Sequence, residues 1–149
     1  MSFVAPDTIL FTLRQGKMNL LNTSTGAIRP VEGELPEVDP RGQGGLLDVQ
    51  RHPSFDTNRT IYLTYSKPTE RGSTTAVATA VLDNNRLSEL KDIFVAEAYN
   101  TTTHHYGSRL QSDGRGHIFV TVGDRGARDL AQNLDVHNGK ILRLREDGS

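Results

Sequence analysis

An imidazole and a carboxylate stand at the two ends of one hairpin-like stretch, His105 and Asp124, and they are the side chains here best suited to moving a proton. Leu110 closes a first short run, Asp113-Gly114 and Gly116 supply a turn, and His117 to Val122 is a β-branched and aromatic strand that stops at Gly123-Asp124. Strands joined by a tight turn run antiparallel, so the start of the first and the end of the second share an edge of the sheet. That geometry puts His105 near Asp124. A carboxylate beside an imidazole raises its basicity and fixes its tautomer, as a general base acting near neutral pH requires. The same two residues also suit an ordinary polar hairpin end, because such pairs occur in structural networks as well.

The elements that must position this pair read as strands throughout. Thr8–Leu13 and Lys17–Asn22 flank the Gln15-Gly16 turn, and Ala27 to Val31 adds a weaker run whose Pro30 suits an edge. A proline- and acid-rich loop from Glu32 to Arg41 then leads into Gly42-Gln-Gly-Gly45. This glycine run lacks the Lys-Ser/Thr of a phosphate loop and precedes a strand, so it does not read as a nucleotide site. Gly45–Gln50, Thr60–Ser66, Thr74–Leu82 and Lys91–Ala96 follow as four strands. In the clearest of them, Ile61, Leu63 and Tyr65 alternate against Thr60, Tyr62 and Thr64. Beyond the His105–Asp124 hairpin, Ala127 to Asn138 is polar with room for a short helical turn, and Gly139 to Arg145 alternates as a last strand.

No segment holds an amphipathic helical period over three turns, so the fold class is all-β. Turn-punctuated meanders of this spacing predict β-propeller blades. The runs divide three, four, three. They give one complete four-stranded blade, about 43–97, flanked by incomplete blades at about 1–34 and 104–149, all within a single partial propeller domain.

With 17 basic and 18 acidic residues spread along 149 positions, the chain has no basic stripe for nucleic acid. Cysteine is absent, which rules out disulfides and thiolate metal sites. No apolar run approaches a membrane span and no export signal opens the sequence, so it reads as soluble with its location open.

Arg41-Gly-Gln-Gly-Gly-Leu-Leu-Asp-Val49, His52-Pro-Ser-Phe55, Ile61-Tyr-Leu-Thr-Tyr-Ser66, His105-Tyr-Gly-Ser-Arg-Leu110, Val122-Gly-Asp-Arg-Gly126, Ala131-Gln-Asn-Leu-Asp135 and Gly139-Lys-Ile-Leu-Arg-Leu144 resemble the N-terminal part of the soluble quinoprotein sugar dehydrogenases. The bacterial aldose sugar dehydrogenases are the nearer likeness. This resemblance implies a six-bladed β-propeller, with pyrroloquinoline quinone (PQQ) on top near the axis and calcium helping to hold it. It also implies a periplasmic or secreted location.

By the same resemblance, His105 takes the proton from the anomeric hydroxyl of an aldose while hydride passes to the quinone, and Asp124 supports that base. Gln43 matches the glutamine beside substrate and cofactor. Arg109 either lines the cofactor pocket or forms a buried ion pair between blades, and the structural role is the one favoured. His104 stands where some family members carry an acid and reads as an exposed neighbour of His105. His52 reads as a turn residue at a blade edge, His117 and His137 as structural or solvent-facing, and Tyr62 and Tyr65 as packing between sheets. No imidazole or carboxylate set has metal-ligand spacing, so no metal site is assigned to side chains.

Family members are more than twice this length, and the residues that bind the quinone carboxylates and the calcium come from later blades. A monomer is therefore expected to bind PQQ poorly. An open arc of blades exposes apolar faces and strand edges, so a homo-oligomer is expected, with a two-fold dimer favoured. Two functions follow from these readings. One is a PQQ-dependent aldose dehydrogenase segment that is active when the propeller is completed. The alternative is a non-catalytic truncated propeller that oligomerises and keeps at most a sugar-binding groove.

Overall fold

Three sheets follow one another along the chain in the computed structural model, which describes residues 1–149. The first is a four-stranded meander of β1 (Ser2–Ala5), β2 (Thr8–Leu13), β3 (Lys17–Asn22) and β4 (Ile28–Pro30). It corrects the three-stranded blade expected from the sequence. The run before Pro6 is only four residues long, too short to signal a strand alone, and it is held by antiparallel pairing of Ser2 with Leu10 and Phe3 with Ile9.

The second sheet has the order β5-β9-β8-β7-β6. Its members are β5 (Glu32–Gly33), β6 (Leu46–Arg51), β7 (Thr60–Thr69), β8 (Gly72–Asp83) and β9 (Arg86–Val95). The fifth strand, β5, is a two-residue parallel addition to β9 from the acidic loop. One helical turn, α1 (Phe55–Asn58), occupies the connection between β6 and β7. The third sheet is β10 (Gly107–Ser112), β11 (His117–Val122) and β12 (Lys140–Arg145), with a 3-10 turn at Arg128–Gln132 between the last two.

Strand periodicity explains how the sheets stack. Successive side chains of a strand point to opposite faces, so a central strand can serve two interfaces at once. On β7, Ile61, Leu63 and Tyr65 join Val4, Leu10, Met18 and Leu20 of the first sheet in the larger core. Tyr62 points the other way and joins Leu110, Ile118, Val120 and Leu144 of the third sheet. Alanines 76, 78 and 80 on β8 lie in the first of these interfaces and Val77 in the second. The two tyrosines therefore pack between sheets, on opposite faces of the middle one. Each fully buried large aliphatic side chain contributes about 1.5–3 kcal/mol, which makes the first interface the main apolar store of the fold.

Candidate functional site

The β10–β11 hairpin pairs Leu110 with Val120, Gln111 with Phe119 and Ser112 with Ile118, and its register shifts between Gly107 and Leu110. At the turn, Asp113 accepts backbone N–H bonds from Arg115 (2.8 Å) and His117 (3.1 Å), which fixes the chain reversal. The opposite end of the hairpin brings the segment before β10 against the loop after β11. There His105 Nδ1 lies 2.7 Å from Asp124 Oδ1.

Three loops converge at this point. The Gln43 side-chain oxygen accepts the backbone N–H of His105 at 2.8 Å, and the Gln43 N–H donates to Thr103 O at 2.7 Å, so the glycine-rich loop is tied to the histidine segment on both sides of His104. Close approach requires the missing side chains. A Cβ on Gly42, whose φ is +55°, would sit 2.4 Å from Thr103 O, and one on Gly123 would sit 1.8 Å from His105 O. The glycine loop is itself anchored from below. Arg41 clasps Asp39 through two 2.8 Å bonds, and Ser66 Oγ donates to Asp39 O (2.6 Å) while accepting the Gly45 N–H (2.6 Å). The Arg41 contact holds the Asp39 carboxyl down to about 2.

The electrostatics of the pair assign its protons. Asp124 accepts the Gly126 backbone N–H at 2.8 Å as well as the imidazole bond, and these two contacts, in that order, push its carboxyl below the ordinary value. It is ionised at neutral pH. The Nδ1–H of His105 is therefore the donor, and in the neutral ring Nε2 carries the lone pair. The imidazole is 48% exposed and the carboxylate 22%, so the base is reachable while its partner is sheltered. The His104 ring stands edge-on to it at 4.4 Å between centroids.

Arg109 lies outside this hydrogen-bonded set. Its Nη1 contacts Asp48 Oδ2 at 3.2 Å, joining β10 to β6. The pair bridges two sheets, but only the acid is sheltered, and that in part: the arginine side chain is 74% exposed and that of Asp48 12%. The buried ion pair expected from the sequence is thus corrected to a half-exposed one. The reason is that the Asp48 oxygens also take the Leu110 N–H (3.1 Å) and the Val49 N–H (2.9 Å), and they need no buried cation.

Of the remaining histidines, His52 stacks on Tyr62 at 5.7 Å and reaches Glu146 at 3.4 Å, His117 pairs with Asp113 at 3.1 Å, and His137 accepts the Glu97 N–H at 2.8 Å. No group of three or more histidines and carboxylates that could hold a metal ion occurs.

One residue the sequence reading passed over sits against the segment that carries His105. Arg125, next to Asp124, is fully buried, with its guanidinium carbon 3.6 Å from the centroid of the Tyr106 ring. The only signal for it was its place in the Gly-Asp-Arg-Gly stretch, where charge alone suggests an exposed side chain.

Fold and site together define a class: stacked β-propeller blades with a carboxylate-oriented histidine where three loops meet. The family model described as Glucose / Sorbosone dehydrogenase matches residues 1–149, and the chain belongs to that family. It is 36% identical over 143 residues to the aldose sugar dehydrogenase YliI of Escherichia coli (strain K12), a match that covers 94% of this chain and 38% of that protein. The structure of the soluble aldose sugar dehydrogenase from Escherichia coli in its apo form superimposes with a TM-score of 0.92 at 33% identity, covering 99% of this chain and 44% of that one. A PQQ-bound aldose sugar dehydrogenase from Streptomyces coelicolor shares the fold, with a TM-score of 0.85 at 22% identity and the same coverage of 99% and 44%. The chain thus spans less than half the length of the relatives it matches. No helix is long and apolar enough to cross a membrane.

Proposed function

We propose that this chain carries the proton-accepting part of a sugar dehydrogenase that oxidises the anomeric hydroxyl of an aldose. The observation that carries this reading is the 2.7 Å contact between His105 Nδ1 and Asp124, which leaves Nε2 bare on an accessible ring. In this reading Nε2 takes the hydroxyl proton, and the ionised Asp124 stabilises the imidazolium that forms. Gln43 spends its carbonyl oxygen on the His105 backbone, and its amide N–H groups, which make no bond within the chain, are free to donate to a sugar or quinone oxygen. PQQ, when bound, supplies the carbonyl that accepts the hydride.

The residues present fit only one side of that cofactor. His105 and Gln43 would face its reacting edge, whereas Arg41 of the glycine-rich loop and Arg109 of β10 are committed to Asp39 and Asp48. The quinone carboxylates and a calcium ion would be held by further blades, and a second copy of this chain is one source of them. The sheet edge at β12 is open, and Phe3 and Ile141 are exposed apolar side chains suited to such a contact. A monomer in light scattering at micromolar concentration would exclude the self-association.

The functional test is titration of the purified protein with PQQ and calcium, followed by absorbance and by dye reduction on adding an aldose. Sugar-dependent reduction that falls on the order of a hundredfold or more in His105→Gln is the expected result. Turnover that survives this substitution would remove His105 from the chemistry, and absence of PQQ binding would favour the non-catalytic propeller reading.

A further inference from the structure

Arg125 has a costly environment and no carboxylate in contact. Burial weakens its hold on its proton, its Nε has no partner, and its remaining donors go to backbone carbonyls and one hydroxyl. Those acceptors are not scattered. Nη2 donates to Thr102 O at 2.6 Å and Nη1 to His104 O, while Nη2 also lies 3.3 Å from both Ser73 O and Ser73 Oγ. The flat face of the guanidinium covers Tyr106, whose hydroxyl is 2.6 Å from Ser73 Oγ. Thr102 Oγ1 returns a bond to Arg125 O at 2.9 Å. One side chain therefore grips residues 102, 104 and 106, before and after His105, and pins them to the β8 strand.

What is pinned is an uncommon conformation. His105 has φ +56° and Arg125 itself φ +57°, values that L-residues adopt only when their surroundings enforce them. The turn at Arg125 sends its own side chain under the loop and leaves the adjacent Asp124 carboxylate facing the imidazole.

We propose that Arg125 is a positioning residue for His105: its buried guanidinium locks the Thr102–Tyr106 segment in the backbone conformation that places Nδ1 on Asp124. The inference deepens the proposed base role of His105 and rests on it. Lysine cannot take over, because a single ammonium group neither forks between the Thr102 and His104 carbonyls nor stacks as a plane on Tyr106.

The test uses the 149-residue chain labelled with nitrogen-15, in which the His105 imidazole reports its tautomer directly and without cofactor. Arg125→Lys is expected to turn the single Nδ1-protonated signature into a mixture of tautomers, with the amide resonances of the first sheet unchanged. Ser73→Ala, which removes one acceptor of the fork and the Tyr106 hydroxyl partner, is expected to do the same to a smaller degree. Where PQQ-dependent turnover is present, Arg125→Lys should lower kcat on the order of a hundredfold with KM little changed. A wild-type tautomer in both variants overturns the proposal, and if Arg125→Lys does not fold, a wild-type tautomer in Ser73→Ala alone overturns it. The two readings separate cleanly. A signature that collapses in the variants of a protein without turnover supports the positioning role and sinks the catalytic one.

Discussion

Sixteen buried residues form one apolar cluster that spans the first and second sheets, whereas the principal cluster between the second and third holds six. Hydrogen bonds cross both, Thr12 Oγ1 to Leu47 O at 2.7 Å among them in the first, but around the smaller cluster they supply more of the contact. Thr64 Oγ1 donates to Ser108 O at 2.7 Å, Thr75 Oγ1 donates to Tyr106 O at 2.8 Å, and the side chains of Asp48 and Gln50 accept the Leu110 and Ser112 N–H groups at 3.1 and 3.0 Å. Apolar contact is non-directional and tolerates small shifts, while hydrogen bonds fix distance and angle. The first interface therefore stabilises the chain and the second orients it, and the histidine pair lies above the second.

Truncation in the apolar interface gives the largest expected effect on stability. Leu63→Ala, at a fully buried position, should cost about 2–5 kcal/mol in denaturant unfolding. The His105–Asp124 contact of the folded fraction should be unchanged. If the variant instead disturbs that contact as strongly as it destabilises the chain, the division between the two interfaces fails.

In the polar interface the balance should reverse. Thr64→Val keeps the shape of the side chain but strands the Asp48 N–H and the Ser108 carbonyl, at a cost of about 1–3 kcal/mol. Chemical shifts of β10 and of the His105 segment should move with it. Movement confined to the first sheet would contradict the assignment.

The smallest effect belongs to acid. The Asp39 carboxyl is held at about 2 against an ordinary 3.8, so its folded form is the less readily protonated one. The stability it contributes is fully present above pH 3.8 and is lost as pH falls through about 2. Its size is at most about 2 kcal/mol, reduced by solvent screening of the exposed Arg41 partner. Asp39→Asn should remove most of that acid-dependent loss, seen as a flatter midpoint-versus-pH curve, and should loosen the loop that carries Gln43.

How much of this could be read from the sequence depended on how local the cause was. The hairpin that joins His105 to Asp124 was legible because a β-branched strand, a glycine turn and antiparallel geometry all lie within one stretch. Gln43 was placed only through the family likeness, since it is 62 residues from His105 and is delivered by the stacking of two sheets. Arg125 was missed because sequence reports a charge and not its burial. Ser2–Ala5 was missed because a four-residue strand before a proline acquires its identity from its partner. Arg109 was read as buried since an inter-sheet pair suggests a dry gap, but β10 and β6 leave its side chain in solvent.

The central claim is that Asp124 holds His105 with Nδ1 protonated and Nε2 bare, ready to accept a proton. Nitrogen-15 spectra of the His105 imidazole, recorded above neutral pH in the wild type and in Asp124→Asn, test it most directly. A single Nδ1–H tautomer is expected in the wild type, and its loss in the variant. A wild-type ring protonated at Nε2 would contradict it.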